Sequence, residues 1–157
     1  KTNANASPAI FFDSYGHAVV PLLGGLAIRD INAEETQTLG YFSPKQHDNG
    51  EYLIQSSYSF VDESNRLVCP TNNNHVLMLK ATDEDGNVLP EFEKVLDIDI
   101  KAAAEAALGK TLDQNLLAVV FDYEEISGLQ PEDSVFTLTG NSRVLWAIFP
   151  VQLLMPF

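Results

Sequence analysis

Apolar and polar positions alternate with a period of two along most of this chain. Between residues 51 and 61, Tyr52, Ile54, Tyr58 and Phe60 share one face, and Gln55, Ser57 and Ser59 share the other. That spacing predicts a half-buried strand. Phe11-Phe12, residues 17–23 and residues 26–29 are short apolar runs broken by Gly16 and Gly24-Gly25. Gly40-Tyr41-Phe42 leads into a polar loop over residues 44–50 that ends Asp48-Asn49-Gly50. Residues 66–69 and 76–82 read as further strands, separated by the loop 70–74. Asp83-Glu84-Asp85-Gly86-Asn87 then reads as a hairpin turn into Val88-Leu89. Asn-Gly and Asp-Gly pairs supply the positive backbone angles that such turns require.

One segment departs from this period. Residues 100–108, IKAAAEAAL, are rich in the best helix former, with Asp99 placed to cap the start and Gly109 to stop the end. Residues 116–121, LLAVVF, form an unbroken apolar run that predicts a central strand. Strands follow over 134–139 and 143–149, joined through Gly140-Asn141, before Pro150 interrupts the ladder. About nine or ten short strands with regular turn signals predict a mainly β protein. The specific expectation is an antiparallel β-sandwich, Ig-like or jelly-roll in type, with one short α-helix near residues 100–108. Residues 1–157 are expected to form a single domain, in which residues 1–8 are a flexible N-terminal arm.

The end of the chain adds something that the strand pattern does not. Residues 144–157 read VLWAIFPVQLLMPF, with Gln152 the one polar side chain. So much contiguous apolar surface must be buried in a core or covered by a partner. The apolar residues near the start, Ile10, Phe11 and Phe12, offer a second contact of the same kind. The expected interface anchors are therefore Ile10, Phe11, Phe12, Trp146, Ile148, Phe149, Val151, Leu153, Leu154, Met155 and Phe157.

Charge narrows the choice of partner. The 157 residues carry nine Lys and Arg against 22 Asp and Glu, a formal charge of −13. Such a surface repels phosphate backbones and anionic headgroups, so no nucleic acid partner is expected. No apolar run is long enough to cross a bilayer as a helix, so no transmembrane segment is expected. The single cysteine, Cys69, allows no intramolecular disulfide and reads as a small buried hydrophobe. The polar start KTNANAS, without Met, reads as an end left by processing, and Asn5-Ala6-Ser7 is a formal glycosylation triplet.

Candidate chemistry is sparse. Asp83, Asp85 and Asn87 could supply oxygens to calcium, as could Asp122, Glu124 and Glu125 in a second acidic cluster that also includes Glu132 and Asp133. A solvated turn at the first and an exposed acidic corner at the second are the preferred readings. Pro90 and the Phe at position 92 exclude an EF-hand. No other cofactor is expected. His17, His47 and His75 stand at no metal-ligand spacing and read as structural or surface residues. Tyr41, Tyr52, Tyr58 and Trp146 could form a platform for carbohydrate, or simply belong to the core. Carboxylate pairs suited to a hydrolase are too abundant in so acidic a chain to single one out.

Residues 117–138, LAVVFDYEEISGLQPEDSVFTL, carry a partial family likeness. Phe121-Asp122 ends an apolar strand, Glu124-Glu125 makes an acidic turn, and Gly128-Leu129 with Glu132-Asp133 makes a corner before the next strand. This resembles immunoglobulin-like β-sandwich modules of secreted or cell-surface bacterial proteins. The resemblance implies an extracellular structural or adhesive module and assigns no catalytic residue.

These observations lead to one expectation and two alternatives. The expectation is a non-enzymatic extracellular or cell-surface structural protein, with the periplasm as an alternative location. It would assemble with itself, as a homo-oligomer or as a subunit of a filament, layer or matrix, through its apolar terminal segments. The first alternative is a carbohydrate- or ligand-binding sandwich module. The second is a hydrolase using a carboxylate pair.

Overall fold

A computed structural model describes residues 9–22, 24–35, 37–44, 53–116, 118–121 and 145–149. The chain divides into two compact units, Lys1–Ile98 and Asp99–Phe157. It is mainly β, as the two-residue period implies.

The first unit is built on eight strands. They are β1 (Phe11–Phe12), β2 (Ala18–Leu22), β3 (Gly25–Asp30), β4 (Gln37–Phe42), β5 (Phe60–Val61), β6 (Arg66–Pro70), β7 (His75–Thr82) and β8 (Val88–Asp99), whose last residue opens the second unit. Their order in the sheet is β1-β2-β3-β4-β8-β7-β6-β5. The pairs β1/β2, β2/β3, β3/β4, β5/β6 and β6/β7 are antiparallel. β4 and β8 run parallel, with Tyr41 beside Glu91, so the sheet is mixed rather than purely antiparallel. The reason is topological. After β4 the chain builds β5, β6 and β7 before β8 returns to the flank of β4 in the same direction.

Alternation sets the core. Val19, Leu26, Ile28, Phe42, Leu67, Cys69, Leu77, Leu79, Ala81 and Phe92 form one buried cluster with Ile54. Phe11, Val61 and Val88 pack against it. Residues from both ends of the strand order therefore share a single core, which requires the sheet to curl until it is nearly closed. A register shift between Ile28 and Arg29, which pairs Ile28 with Gly40 but Arg29 with Thr38, leaves Leu39 as an extra residue in β4. Such a bulge bends its strand and sharpens the local twist.

The two open margins are tied at both ends. At one end the Ser14 N–H, in the β1–β2 turn, donates to Asn65 Oδ1 in the β5–β6 turn at 2.7 Å. At the other, the Ile54 N–H donates to the Gly24 carbonyl, and Ile54 also pairs with Thr71. The expected strand over 51–61 is not continuous where it is described. Ser56–Tyr58 is a 3-10 turn, in which the Tyr58 N–H reaches the Gln55 carbonyl and Ser59 Oγ donates to the same oxygen. Local serine bonds outcompete the ladder here. Ile54 is buried as expected, whereas Tyr58 is exposed.

Cys69 sits wholly inside the core. Burial pushes its thiol up to about 12, against a smaller lowering by Ser59. The thiolate is the reactive form, so iodoacetamide at pH 8 is expected to leave native protein unlabelled and to label it fully in urea. Rapid labelling of the native protein, read by mass spectrometry, would place Cys69 outside the core.

In the second unit the helix Ile100–Leu108 follows its sequence signals closely. The Asp99 side chain accepts the Ala102 N–H at 3.0 Å. Gly109 takes the left-handed conformation, φ 68°, and its N–H returns to the Glu105 carbonyl. Ile100 and Ala104, one turn apart, are the buried residues of the helix. Strands β9 (Ala118–Phe121) and β10 (Leu145–Ile148) pair antiparallel, with Trp146 opposite Val120. The expected strand at 134–139 lies outside the described residues, as does most of the segment 117–138 that carries the family likeness. Among the described residues no helix is long and apolar enough to cross a membrane.

Candidate functional site

One five-residue turn recurs through the first unit. Asp13, Asp62 and Asp83 each open it with the same bonds. The Asp N–H donates to the carbonyl four residues on, at His17, Arg66 and Asn87, and the Asp carbonyl accepts from the residue three on, at Gly16, Asn65 and Gly86. One carboxylate oxygen of each Asp accepts the N–H groups two and four residues on. The second oxygen meets the last side chain: His17 Nδ1 at 2.7 Å, Arg66 Nε at 2.7 Å and Asn87 Nδ2 at 3.0 Å. The fourth residue has positive φ in every case, which selects Gly at 16 and 86 and Asn at 65. Thr71 opens a fourth version, exchanging bonds with His75, with Asn74 at φ 69°.

This recurrence explains Asp83 and Asn87, while Asp85 contributes its backbone N–H, as Tyr15 and Ser64 do in the other two turns. Both oxygens of Asp83 are engaged inside the turn, and the Asn87 hydrogen bond holds its carboxyl below the usual range. The Asn87 amide is likewise turned inward to Asp83. Among the described residues no group of three or more His, Cys, Asp or Glu is gathered as a metal site would need. Asp122, Glu124 and Glu125 lie outside the described residues.

The Asp13, Asp62 and Asp83 turns meet at one end of the sheet. The Asn65 side chain bridges two elements, accepting from Ser14 and donating from Nδ2 to Thr82 Oγ1 at 2.9 Å. The Tyr15 ring lies against Gly86, and its hydroxyl points at the Glu84 carbonyl, 3.5 Å away. Between them opens a cleft of about 280 Å³, lined by Tyr15, Arg66, Lys80, Thr82, Asp83 and Glu84 among others. Two of its lining residues, Arg66 and Lys80, stand side by side because the β6–β7 register sets them directly opposite.

Sequence reading did not bring Arg66 and Lys80 together, although a signal existed. A hairpin centred on Asn73 pairs residues equally far from it on either side, which is how these two meet. It also missed the ion pairs. His75 Nδ1 lies 2.6 Å from Asp97 Oδ1, and Lys94 Nζ lies 3.1 Å from Asp97 Oδ2. His17, expected to be structural, pairs with the buried Asp13, and His47 lies outside the described residues.

Burial raises the Asp97 carboxyl, but hydrogen bonds from His75 and then Lys94 outweigh it and hold the group low. A depressed carboxyl contributes stability above its unfolded pKa, about 3.9, and loses it as pH falls through the lower folded value. Asp97→Asn is therefore expected to cost about 0.2–1 kcal/mol at pH 7, the range for exposed pairs. The difference from wild type should shrink to nothing as pH falls below the usual carboxylate range. A gap in urea midpoints that stayed constant with pH would contradict this.

The expected interface residues are spread over three settings. Ile10 and Phe12 are 61% and 58% exposed at edge strand β1, while Phe11 between them packs against the core. Trp146 and Ile148 fall in β10, and Phe149 just beyond it is half-buried. Val151, Leu153, Leu154, Met155 and Phe157 lie outside the described residues. Of the aromatic platform, Tyr41 is half-buried in β4 and Tyr58 lies on the 3-10 turn; Tyr52 lies outside the described residues. Comparison of the chain with protein-family models, curated proteins and solved structures returned no match.

Proposed function

We propose that this chain is a non-catalytic β module of an extracellular or cell-surface assembly, joined to a second copy of itself through strand β1. The observation that carries the proposal is the exposure of Phe12 in edge strand β1 and of Ile10 just before it, on either side of Phe11, which packs against the core. Covering each of these side chains would contribute roughly 1.5–3 kcal/mol. The apolar sequence of residues 144–157 supports the same reading. The extracellular location rests on the family resemblance of residues 117–138. A two-layered arrangement of Ig-like or jelly-roll type is our reading of the nearly closed sheet, because strands far apart in its order contribute to one core. The carboxylates whose shifts are resolved, Asp83 through its Asn87 hydrogen bonds and Asp97 through His75 and Lys94, are both held low, which suits structural roles better than acid catalysis.

Light scattering across a concentration series tests the proposal. The mass of the wild-type protein is expected to rise with concentration, and the double variant Ile10→Lys/Phe12→Lys to stay monomeric while keeping the wild-type circular dichroism spectrum. A wild-type monomer at every concentration, or a variant that associates as strongly, would overturn the proposal.

A further inference from the structure

We propose that the cleft between the Asp13, Asp62 and Asp83 turns binds a small carboxylate that also carries several hydroxyls, such as a free sugar acid. The inference rests on the cleft alone and stands apart from the self-association argued above.

Arg66 and Lys80 are cross-strand neighbours, and the ion pair of Arg66 with the buried Asp62 offsets the repulsion that like charges opposite one another would otherwise bring to the sheet. The chain has only nine bases among 157 residues, and two of them share this one cleft. Arg66 is fixed rather than free to turn away, because its Nε is held by Asp62 Oδ2 while its terminal nitrogens make no hydrogen bond to a described residue. The Lys80 ammonium forms no ion pair with any described residue. A carboxylate reaching both would gain charge-assisted bonds from the Lys80 ammonium and the Arg66 terminal nitrogens.

The surroundings favour hydroxyls on the rest of the ligand. Asp83 and Glu84 line the cleft together with Ser64 and the buried Thr82. The Glu84 carboxylate would repel a second anionic group but accept hydrogen bonds from hydroxyls. The Tyr15 ring forms a wall held in place by Gly86 and Glu84, and such a face suits the C–H side of a sugar ring. The volume of about 280 Å³ is enough for one such ring. With a formal charge of −13 outside the cleft, a polyanion would be repelled where a single carboxylate is not.

The test is titration of the full chain with glucuronate, followed by amide chemical shifts, with glucose and inorganic phosphate as comparators. Saturable shifts are expected at Tyr15, Arg66 and Lys80 with glucuronate, and binding at least about tenfold weaker with glucose, the loss of one charge-assisted bond. Lys80→Gln should weaken glucuronate by about tenfold while Lys80→Arg retains it. Lys80 lies outside the turn bonds, so both variants are expected to unfold at the wild-type urea midpoint. No saturable shift at these residues, equal binding of glucose, tighter binding of phosphate, or unchanged binding by Lys80→Gln would each overturn the proposal.

Discussion

Gly40→Ala is expected to be among the most damaging single-methyl substitutions in the first unit, beside Gly25→Ala, whose Cβ would collide with the Phe42 carbonyl oxygen. Gly40 is buried in β4 at the point where that strand meets β8. A Cβ there would collide with the Leu89 carbonyl oxygen and come within 2.9 Å of Val88 Cγ1. The obstacle is backbone, so no side-chain rotation relieves it. The two strands must part, and the parallel contact of Tyr41 with Glu91 lies one residue away. Phe42 and Phe92, two of the largest fully buried side chains, sit on the strands that would separate. We expect a loss of about 3 kcal/mol or more, the upper end of overpacking effects. Gly16→Ala is the proper comparison. A Cβ at Gly16 meets nothing within 4 Å, so only the left-handed backbone is penalised, at about 1–2 kcal/mol. Urea midpoints should rank Gly40→Ala well below Gly16→Ala, and amide exchange should show β4 and β8 opening first. Equal midpoints would mean that β4 and β8 are not closely paired.

That close approach also shows what the sequence could and could not reveal. The signals for the helix Ile100–Leu108 are local: alanines for propensity, Asp99 for the first N–H groups, Gly109 for the left-handed stop. Each acts within four residues, and each is where the sequence places it. The turn Asp83–Asn87 was legible for the same reason. Its relatives at Asp13 and Asp62 were not, because the first lacks the acidic run and the second uses Asn65 in place of glycine. Strand β8 was cut short at Leu89 by the presence of Pro90. Yet beyond it Phe92, Lys94, Leu96 and Ile98 alternate with Glu91, Glu93, Val95 and Asp97 in an amphipathic pattern that continues to Asp99. The proline removes one donor and leaves the strand intact.

Non-local pairing was less legible. Nothing near β4 says that its neighbour is a strand some fifty residues onward running in the same direction. The register of Arg66 with Lys80 was recoverable from the turn between them. The meeting of Tyr15 with Gly86 was not, because it depends on the sheet curling until its two margins approach. The candidate cleft thus combines one readable hairpin with a tertiary closure that no short window contains.

The closure itself is expected to hang on Asn65. This residue has φ 58° and is buried, a position where glycine would be the easier choice for the backbone. Its side chain supplies the reason for asparagine. Oδ1 accepts the Ser14 N–H from the turn beside β1, and Nδ2 donates to Thr82 on β7. Asn65→Gly keeps the backbone at ease and removes both bonds. The buried Thr82 hydroxyl loses its donor, while the Ser14 N–H, on an exposed residue, turns to water. We expect a cost of about 1–3 kcal/mol, the penalty for leaving a buried polar group unpaired. Asn65→Ala adds the left-handed penalty, about 1–2 kcal/mol more. Asn65→Asp retains the acceptor for Ser14 and tolerates the backbone, so it should fall between wild type and Asn65→Gly. Amide exchange separates this role from generic packing: the Ser14 N–H should lose protection in the Gly and Ala variants and keep it in the Asp variant. If Asn65→Gly matched wild type in midpoint and in Ser14 protection, the two margins of the sheet would have to be held together by something other than this side chain.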